Sequence, residues 1–314
     1  RKISDTKRIF SLHGGAPMKE LLYICNAHAG KSAVKNKIAD IVDCFIKEGY
    51  HVSIHITQSR GDAAQIAASR GAGVDRIVCS GGDGTLNEVV SGLMQLPETL
   101  RPIVGYIPAG TTNDYARTLH LPAQMTKAAE IAMKGEVHAV DVGRAGSNYY
   151  NYAYGFGMFT EVSYATSQEL KKTLGHSAYV LEGIRSLIGT KSYAVTIRWE
   201  DQELKGRFLL GMVTNANSVA GMKGLWGEHI GLSDGVFEVT LIEEPQILAE
   251  WPELPMKFLA KGSSDHLVYR FKTSKISFEC EEVIKWVKDG EFAGSHAQVT
   301  VENISRAVRI TTKK

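Results

Sequence analysis

The sequence predicts an α/β chain in two parts, a doubly wound parallel sheet followed by an antiparallel β-rich domain. Three observations carry this. Short apolar runs alternate with helically spaced segments from residue 19 to about 134, strand-like runs separated by turns take over after about 137, and a glycine-rich tract, Ser80-Gly81-Gly82-Asp83-Gly84-Thr85, sits where one strand gives way to a helix. Repeated strand–helix units of this length imply a parallel sheet with helices on both faces.

The elements follow in order. Leu21, Leu22, Tyr23, Ile24 and Cys25 form the first strand, ending in Asn26-Ala27-His28-Ala29-Gly30. Residues 35–47 carry Ile38, Ile41, Val42, Phe45 and Ile46 at helical spacing. Val52, Ile54 and Ile56 alternate with Ser53 and His55 as a strand, and Asp62 is placed to cap the alanine-rich helix that follows. Residues 77–79 and 103–107 complete the set of parallel strands. Ligands of such sheets bind at the carboxyl ends of the strands. Asn26, Thr57, the tract 81–85 and the tract 108–114 are predicted to lie there. Beyond the boundary, residues 195–199, 208–213, 236–242, 268–271, 276–278, 283–287 and 299–301 read as strands, with a helix over 178–188. The organisation is a leader over 1–17, flexible and unlike a secretory signal, a first domain over 18–136 and a second over 137–314, whose last residues can pack back on the first.

Composition narrows the function. Of 314 residues, 44% are apolar and 22% charged, the profile of a globular chain. A net charge of +2, from 36 basic against 34 acidic residues, gives no nucleic-acid footprint. The four cysteines lack metal-ligand spacing and read as free thiols of a reducing compartment. No apolar run approaches the roughly 20 residues that span a bilayer, so any membrane contact is expected to be peripheral.

Four tracts carry chemistry. In the first, the glycines at 81, 82 and 84 permit positive φ and let backbone N–H groups approach an anion at a helix N-terminus. Asp83 inside that loop repels a bare phosphate, which points to a Mg²⁺-nucleotide rather than a simple anion. A glycine-rich turn with an Asp cap is the plainer reading. The second, Pro108-Ala109-Gly110-Thr111-Thr112-Asn113-Asp114, bunches polar residues before a helix, as a capping cluster or as part of the same rim. The third, Lys288-Asp289-Gly290-Glu291, is a hairpin turn or the seat of a general base. The fourth, Gly231-Leu232-Ser233-Asp234-Gly235, is a turn with one metal-capable carboxylate.

Together, the run Gly81-Gly82-Asp83-Gly84-Thr85-Leu86-Asn87-Glu88, the run 108–114, the stretch 172–179 and the later Ser233-Asp234-Gly235 and Asp289-Gly290-Glu291 tracts resemble the diacylglycerol kinase-like lipid kinases, which include bacterial diacylglycerol kinases and sphingosine kinases. The resemblance spans the chain from about Met18 onward. It implies an ATP-binding α/β domain, a C-terminal antiparallel β-sandwich for the lipid, and ATP- and Mg²⁺-dependent transfer of a phosphoryl group to a lipid hydroxyl, most directly that of diacylglycerol. By the same resemblance Asn26, Ala27, His28, Ala29, Gly30, Lys31, Thr57, Gly81, Gly82, Gly84, Thr85, Asn87, Glu88, Thr111, Asn113 and Asp114 line the ATP site. Asp83 organises metal and phosphates, Glu291 is the base with Asp289 beside it, and Asp234 holds a structural Mg²⁺ with the carbonyls of Gly231 and Val236. The first loop, Asn26-Ala27-His28-Ala29-Gly30, lacks the family's proline and serine, with Lys31 as a nearby charge, and residues 155–160 lack an acidic residue. An NAD or sugar kinase sharing the glycine loop, and a nucleotide- or lipid-binding sensor without turnover, are the rival readings. The expected partners are ATP and lipid, with transient contact at the membrane surface, no nucleic acid, a cytoplasmic location, and homodimerisation left open. The apolar surface for the lipid is placed near Met158, Phe159 and the 178–188 helix, with Lys171 and Lys172 as a local basic patch.

Overall fold

The computed structural model describes residues 18–29, 34–157, 191–216, 218–219, 222–223, 231–260 and 265–313. The chain divides into two compact units; the described residues of the first fall within Arg1–Thr111, Leu121–His138 and Arg309–Lys314, and those of the second within Thr112–His120 and Ala139–Val308.

In the first unit the order is β1 (Lys19–Cys25), α1 (Ile38–Lys47), β2 (Tyr50–Ile56), α2 (Asp62–Arg70), β3 (Arg76–Gly81), α3 (Asp83–Leu93), β4 (Ile103–Pro108) and α5 (Met125–Lys134). The strands are parallel in the order β2-β1-β3-β4, and at the far edge Ile310 pairs with Val104. Alternation along β1 serves both faces. Leu21, Tyr23 and Cys25 share a buried cluster with Ile41 and Phe45 of α1 and with Ala128, Ala129 and Ala132 of α5. On the other face α2 and α3 pack closely. A Cβ built on Gly92 would stand 2.2 Å from the Ala64 carbonyl oxygen, so only glycine lets these helices approach.

Two expectations shift. Asp62 is the first residue of α2 and Gly61 its N-cap, so Asp62 does not cap. Its carboxylate instead accepts the Gln58 N–H at 2.8 Å and lies 3.0 Å from His55 Nε2. Second, α1 starts at Ile38, behind a 3₁₀ turn over Lys35–Lys37.

The second unit contains α4 (Asp114–Thr118), then β5 (Glu136–Ala145, from residue 139 onward), β6 (Asn148–Tyr150), β7 (Ala153–Phe156), β8 (Tyr193–Trp199), β9 (Gln202–Thr214), β10 (Ser218–Val219), β11 (Met222–Lys223), β12 (Phe237–Glu243), α6 (Leu254–Leu259), β13 (Val268–Thr273), β14 (Lys275–Lys288) and β15 (Glu291–Thr312), whose residues from Arg309 count with the first unit. Hydrogen bonding joins these strands, apart from the β10–β11 pair, into one largely antiparallel network. The cause is strand length: one part of β9 pairs with β8 and another with β7 and β12, while β14 pairs with β8, then with β7. The two strands expected over 276–278 and 283–287 are one, β14, with a register shift between Glu279 and Ile284. The core between them is aromatic: Trp286 stacks on Tyr154 at 5.3 Å and meets Phe156 and Phe278 edge-on.

Candidate active site

The strand order β2-β1-β3-β4 reverses direction of travel between β1 and β3, and the carboxyl ends of those two strands carry the first cluster. Asn26 follows β1. Its backbone N–H donates to the Ser80 carbonyl at 2.9 Å, and its side chain donates from Nδ2 to Thr85 Oγ1 at 3.1 Å while Oδ1 accepts the His28 N–H at 3.1 Å. One amide thus turns the first loop and ties it to the start of α3. Ala27 is buried and His28 exposed beyond it. Thr57, at the end of β2, is fixed to the same strand end, its N–H donating to the Cys25 carbonyl at 2.9 Å. Gly30 and Lys31 lie outside the described residues.

The glycine loop is built for close approach rather than for positive φ. Gly82 has φ −85°, and neither Gly81 nor Gly84 is among the glycines with positive φ, so that expectation is corrected. A Cβ on Gly81 would stand 2.3 Å from Thr85 Oγ1, and one on Gly82 would reach 3.4 Å from the Gly110 Cα. Side chains would fill this cradle between the loops after β3 and β4. Because α3 begins at Asp83, its opening Asp83-Gly84-Thr85 turn belongs to the helix, where the positive end of the helix dipole favours an anion. Asp83 is half-buried there, and Asn87 is buried one turn on. Backbone donors, a hydroxyl and one carboxylate are a donor set that fits a nucleotide phosphate carried with a hard divalent cation. Glu88 is turned to other work. Its two carboxylate oxygens accept the Gly61 N–H at 2.8 Å and the Ala63 N–H at 3.2 Å, capping α2 in place of Asp62.

The tract 108–114 is divided. Gly110 and Thr111 belong to the first unit, and Asn113 and Asp114 to the second. Asn113 is the N-cap of α4 with φ 50° and makes no side-chain cap hydrogen bond. Asp114 is buried and accepts from Arg117 Nη1 at 3.2 Å.

In the second unit, Lys288 and Glu291 pair across a two-residue turn whose central residues, Asp289 and Gly290, have φ of 45° and 83°. Positive φ at both positions matches the right-handed twist of the strands it joins. Glu291 is exposed. Asp289, expected beside it in catalysis, is turned inward. Its carboxylate accepts backbone N–H groups of Asn151 at 2.7 Å, Tyr152 at 2.9 Å and Ala153 at 3.0 Å. Burial pushes its carboxyl up, these three N–H donors and Lys288 pull it part of the way back, and the balance stands at about 6. Asp289 therefore ties the turn that carries Glu291 to the 151–153 backbone.

Asp234 Oδ1 accepts the Val236 N–H at 3.3 Å, and Oδ2 lies so close over Gly231 that a Cβ there would stand 2.5 Å from it. One carboxylate folded over main chain suits a hard cation with oxygen ligands, although Lys272 Nζ lies 3.6 Å from Oδ2 and competes for it. Among the described residues no three His, Cys, Asp or Glu side chains gather as a metal cluster. Sequence reasoning missed Asp141. This buried carboxylate accepts the Gly235 N–H at 2.7 Å, the Arg306 N–H at 2.7 Å and Asn303 Nδ2 at 3.2 Å, pinning the Asp234 turn to β15. Its signal was legible, a charge between Val140 and Val142 inside an apolar strand. Met158, Phe159, Lys171, Lys172, the stretch 172–179 and the helix expected over 178–188 lie outside the described residues.

Residues 20–145 match the family model described as the diacylglycerol kinase catalytic domain. The chain is 33% identical over 282 residues to a diacylglycerol kinase of Bacillus subtilis, covering 88% of this chain and 91% of that protein. It is 33% identical over 302 residues to a diacylglycerol kinase of Staphylococcus carnosus, covering 94% and 96%. A crystal structure of a diacylglycerol kinase from Bacillus anthracis superposes with a TM-score of 0.78 at 26% identity, over 95% of this chain and 98% of that one. With the Asn26–Thr85 bridge and the glycine cradle set at the strand ends, this likeness over nearly the whole length shows that the chain belongs to the diacylglycerol kinase family and is a lipid kinase.

Proposed function

We propose that this lipid kinase moves the γ-phosphoryl group of ATP, in a Mg²⁺-dependent reaction, onto the free hydroxyl of diacylglycerol. The observation that carries the reading is the cradle at the carboxyl ends of β1 and β3, where Asn26 locks Thr85 and Gly82 approaches Gly110 with no side chain between them. In this reading Asn26, Thr57, Gly82, Thr85 and Thr111 hold the nucleotide, and Asp83 holds the cation. The cation supplies neutralisation of phosphate charge. Glu291 takes the proton from the lipid hydroxyl as the new oxygen–phosphorus bond forms and the bond to the ADP oxygen breaks. Asp289 keeps the turn in place through its three N–H contacts. Positioning and charge account for most of the catalysis, because phosphoryl transfer asks little covalent work of the protein. The Asp234 turn is a second, structural cation site, and the enzyme is cytoplasmic and meets the membrane from its surface.

An assay with radiolabelled ATP over a panel of lipids in mixed micelles tests this. Label is expected in phosphatidic acid from diacylglycerol, and chelation of Mg²⁺ is expected to stop it. Label confined to a sphingoid base or a monoacylglycerol would reassign the acceptor, and turnover that persists in full under chelation would remove the cation from the mechanism.

A further inference from the structure

The connection between β12 and β13 carries three large apolar side chains in solvent: Leu248 is 87% exposed, Met256 66% and Ile247 59%. They do not belong to a loose loop. Leu248–Glu250 is a 3₁₀ turn, and α6 is held from beneath by Leu254 and Phe258, both buried. Arg270 donates to the Phe258 and Ala260 carbonyls at the end of α6 and lies 5.6 Å from the Phe258 ring. Met256 is thus presented by an anchored helix.

Among the described residues the surroundings are charged but internally matched. Glu244 meets Arg207 at 3.1 Å, Glu250 meets His266 at 2.9 Å, and Lys257 lies 3.2 Å from Asp265 and 3.6 Å from Glu253. A protein partner of this segment would gain little from its charges, because each is already met. An uncharged lipid interface complements it, since apolar tips enter the acyl boundary while the paired charges stay in water. Trp251, half-buried between the apolar positions, is of the type that settles at such an interface.

We infer that the segment 247–256 is the surface by which this enzyme docks on neutral lipid, inserting Ile247, Leu248 and Met256 to reach an acceptor that never leaves the bilayer. The inference rests on the lipid-kinase reading and adds to it a location and a chemistry, hydrophobic insertion rather than attraction to anionic headgroups.

The test uses the full chain, its Leu248→Glu and Met256→Glu variants, and Ile46→Glu as a control, since Ile46 is 58% exposed on α1 of the other unit. Co-sedimentation with phosphatidylcholine vesicles containing diacylglycerol is measured at low and high salt, with and without phosphatidylglycerol, beside turnover of a dispersed short-chain diacylglycerol. Each of the two variants is expected to bind vesicles about ten-fold more weakly or worse, from the lost insertion of one large apolar side chain. Turnover of the dispersed substrate is expected to be unchanged, wild-type binding to vary little with salt, and Ile46→Glu to behave as wild type. Leu248→Trp is expected to strengthen binding. Equal vesicle binding by wild type and both variants would overturn the inference. So would binding by wild type that vanishes in salt, a like loss in Ile46→Glu, or variants that only dissociate a dimer. If wild type fails on the dispersed substrate too, the failure belongs to the kinase reading, and vesicle binding still decides the docking surface.

Discussion

Asp83 and Glu291 are single carboxylates with opposite settings, one half-buried in the first turn of α3 and the other exposed at a hairpin's end. Asp83→Ala removes the only acidic side chain in the first turn of α3 and takes nothing from the buried apolar cluster of the first unit, so turnover should be abolished while the circular dichroism spectrum stays that of wild type. Wild-type rates at saturating Mg²⁺ would remove Asp83 from the phosphate site. Glu291→Gln keeps the size of the side chain and loses the proposed base, so kcat should fall by roughly 10²–10⁴-fold with ATP affinity little changed. An unaltered kcat would leave the tract a plain turn. Asp289 makes a different prediction. Its folded-state value of about 6 lies above the ordinary carboxylate value, so the native protein keeps a proton that the unfolded chain releases from about pH 4 upward. That stabilisation is complete below the window and is lost as the pH rises through about 6. Asp289→Asn cannot titrate. The stability of wild type relative to this variant should therefore fall between about pH 4.5 and about pH 7, by roughly 3 kcal/mol at most. Denaturant titrations at the two pH values measure it, and a difference independent of pH would mean that Asp289 is ionised throughout.

The packing of α2 on α3 turns a general preference around. Glycine inside a helix is ordinarily about 1 kcal/mol worse than alanine. At Gly92, however, the added methyl would meet the Ala64 carbonyl oxygen at 2.2 Å and Ala67 Cβ at 2.9 Å. Gly92→Ala is expected to destabilise by about 1–3 kcal/mol, as overpacking does, rather than to stabilise. A raised melting temperature would show that the helices separate freely. Elements of this kind were legible where pattern is local. The parallel strands and their helices follow from alternation and spacing, and the glycine loop is visible because glycines and an aspartate stand together after a strand. What failed was non-local. The polar stretch around Glu279–Glu282 breaks the apolar alternation, so β14 read as two strands although its pairing resumes past the register shift. The inward task of Asp289 depends on N–H groups more than 130 residues away in sequence, and no spacing rule reports that.

At the scale of the whole molecule, the cation site proposed at the Asp234 turn would couple cation binding to unfolding. A cation that binds only the native turn raises stability by about 2.7 kcal/mol at one hundred times its dissociation constant. Wild type should therefore melt several degrees higher in excess Mg²⁺ than after chelation, and Asp234→Ala should lose most of that increment while keeping its fold in chelator. A Mg²⁺ response of equal size in the variant would place the stabilising cation elsewhere. A last consequence attaches to Ile310, whose pairing with Val104, beside the Thr311 hydroxyl that donates to the Val104 carbonyl at 3.3 Å, closes the edge of the first unit's sheet. On the ribosome β4 emerges some two hundred residues before the strand that covers its edge. A nascent α/β unit thus carries an open strand edge while those two hundred residues are made, the kind of surface on which chains cross-pair. Synthesis, more than the finished protein, is where this topology leaves a strand edge open to cross-pairing.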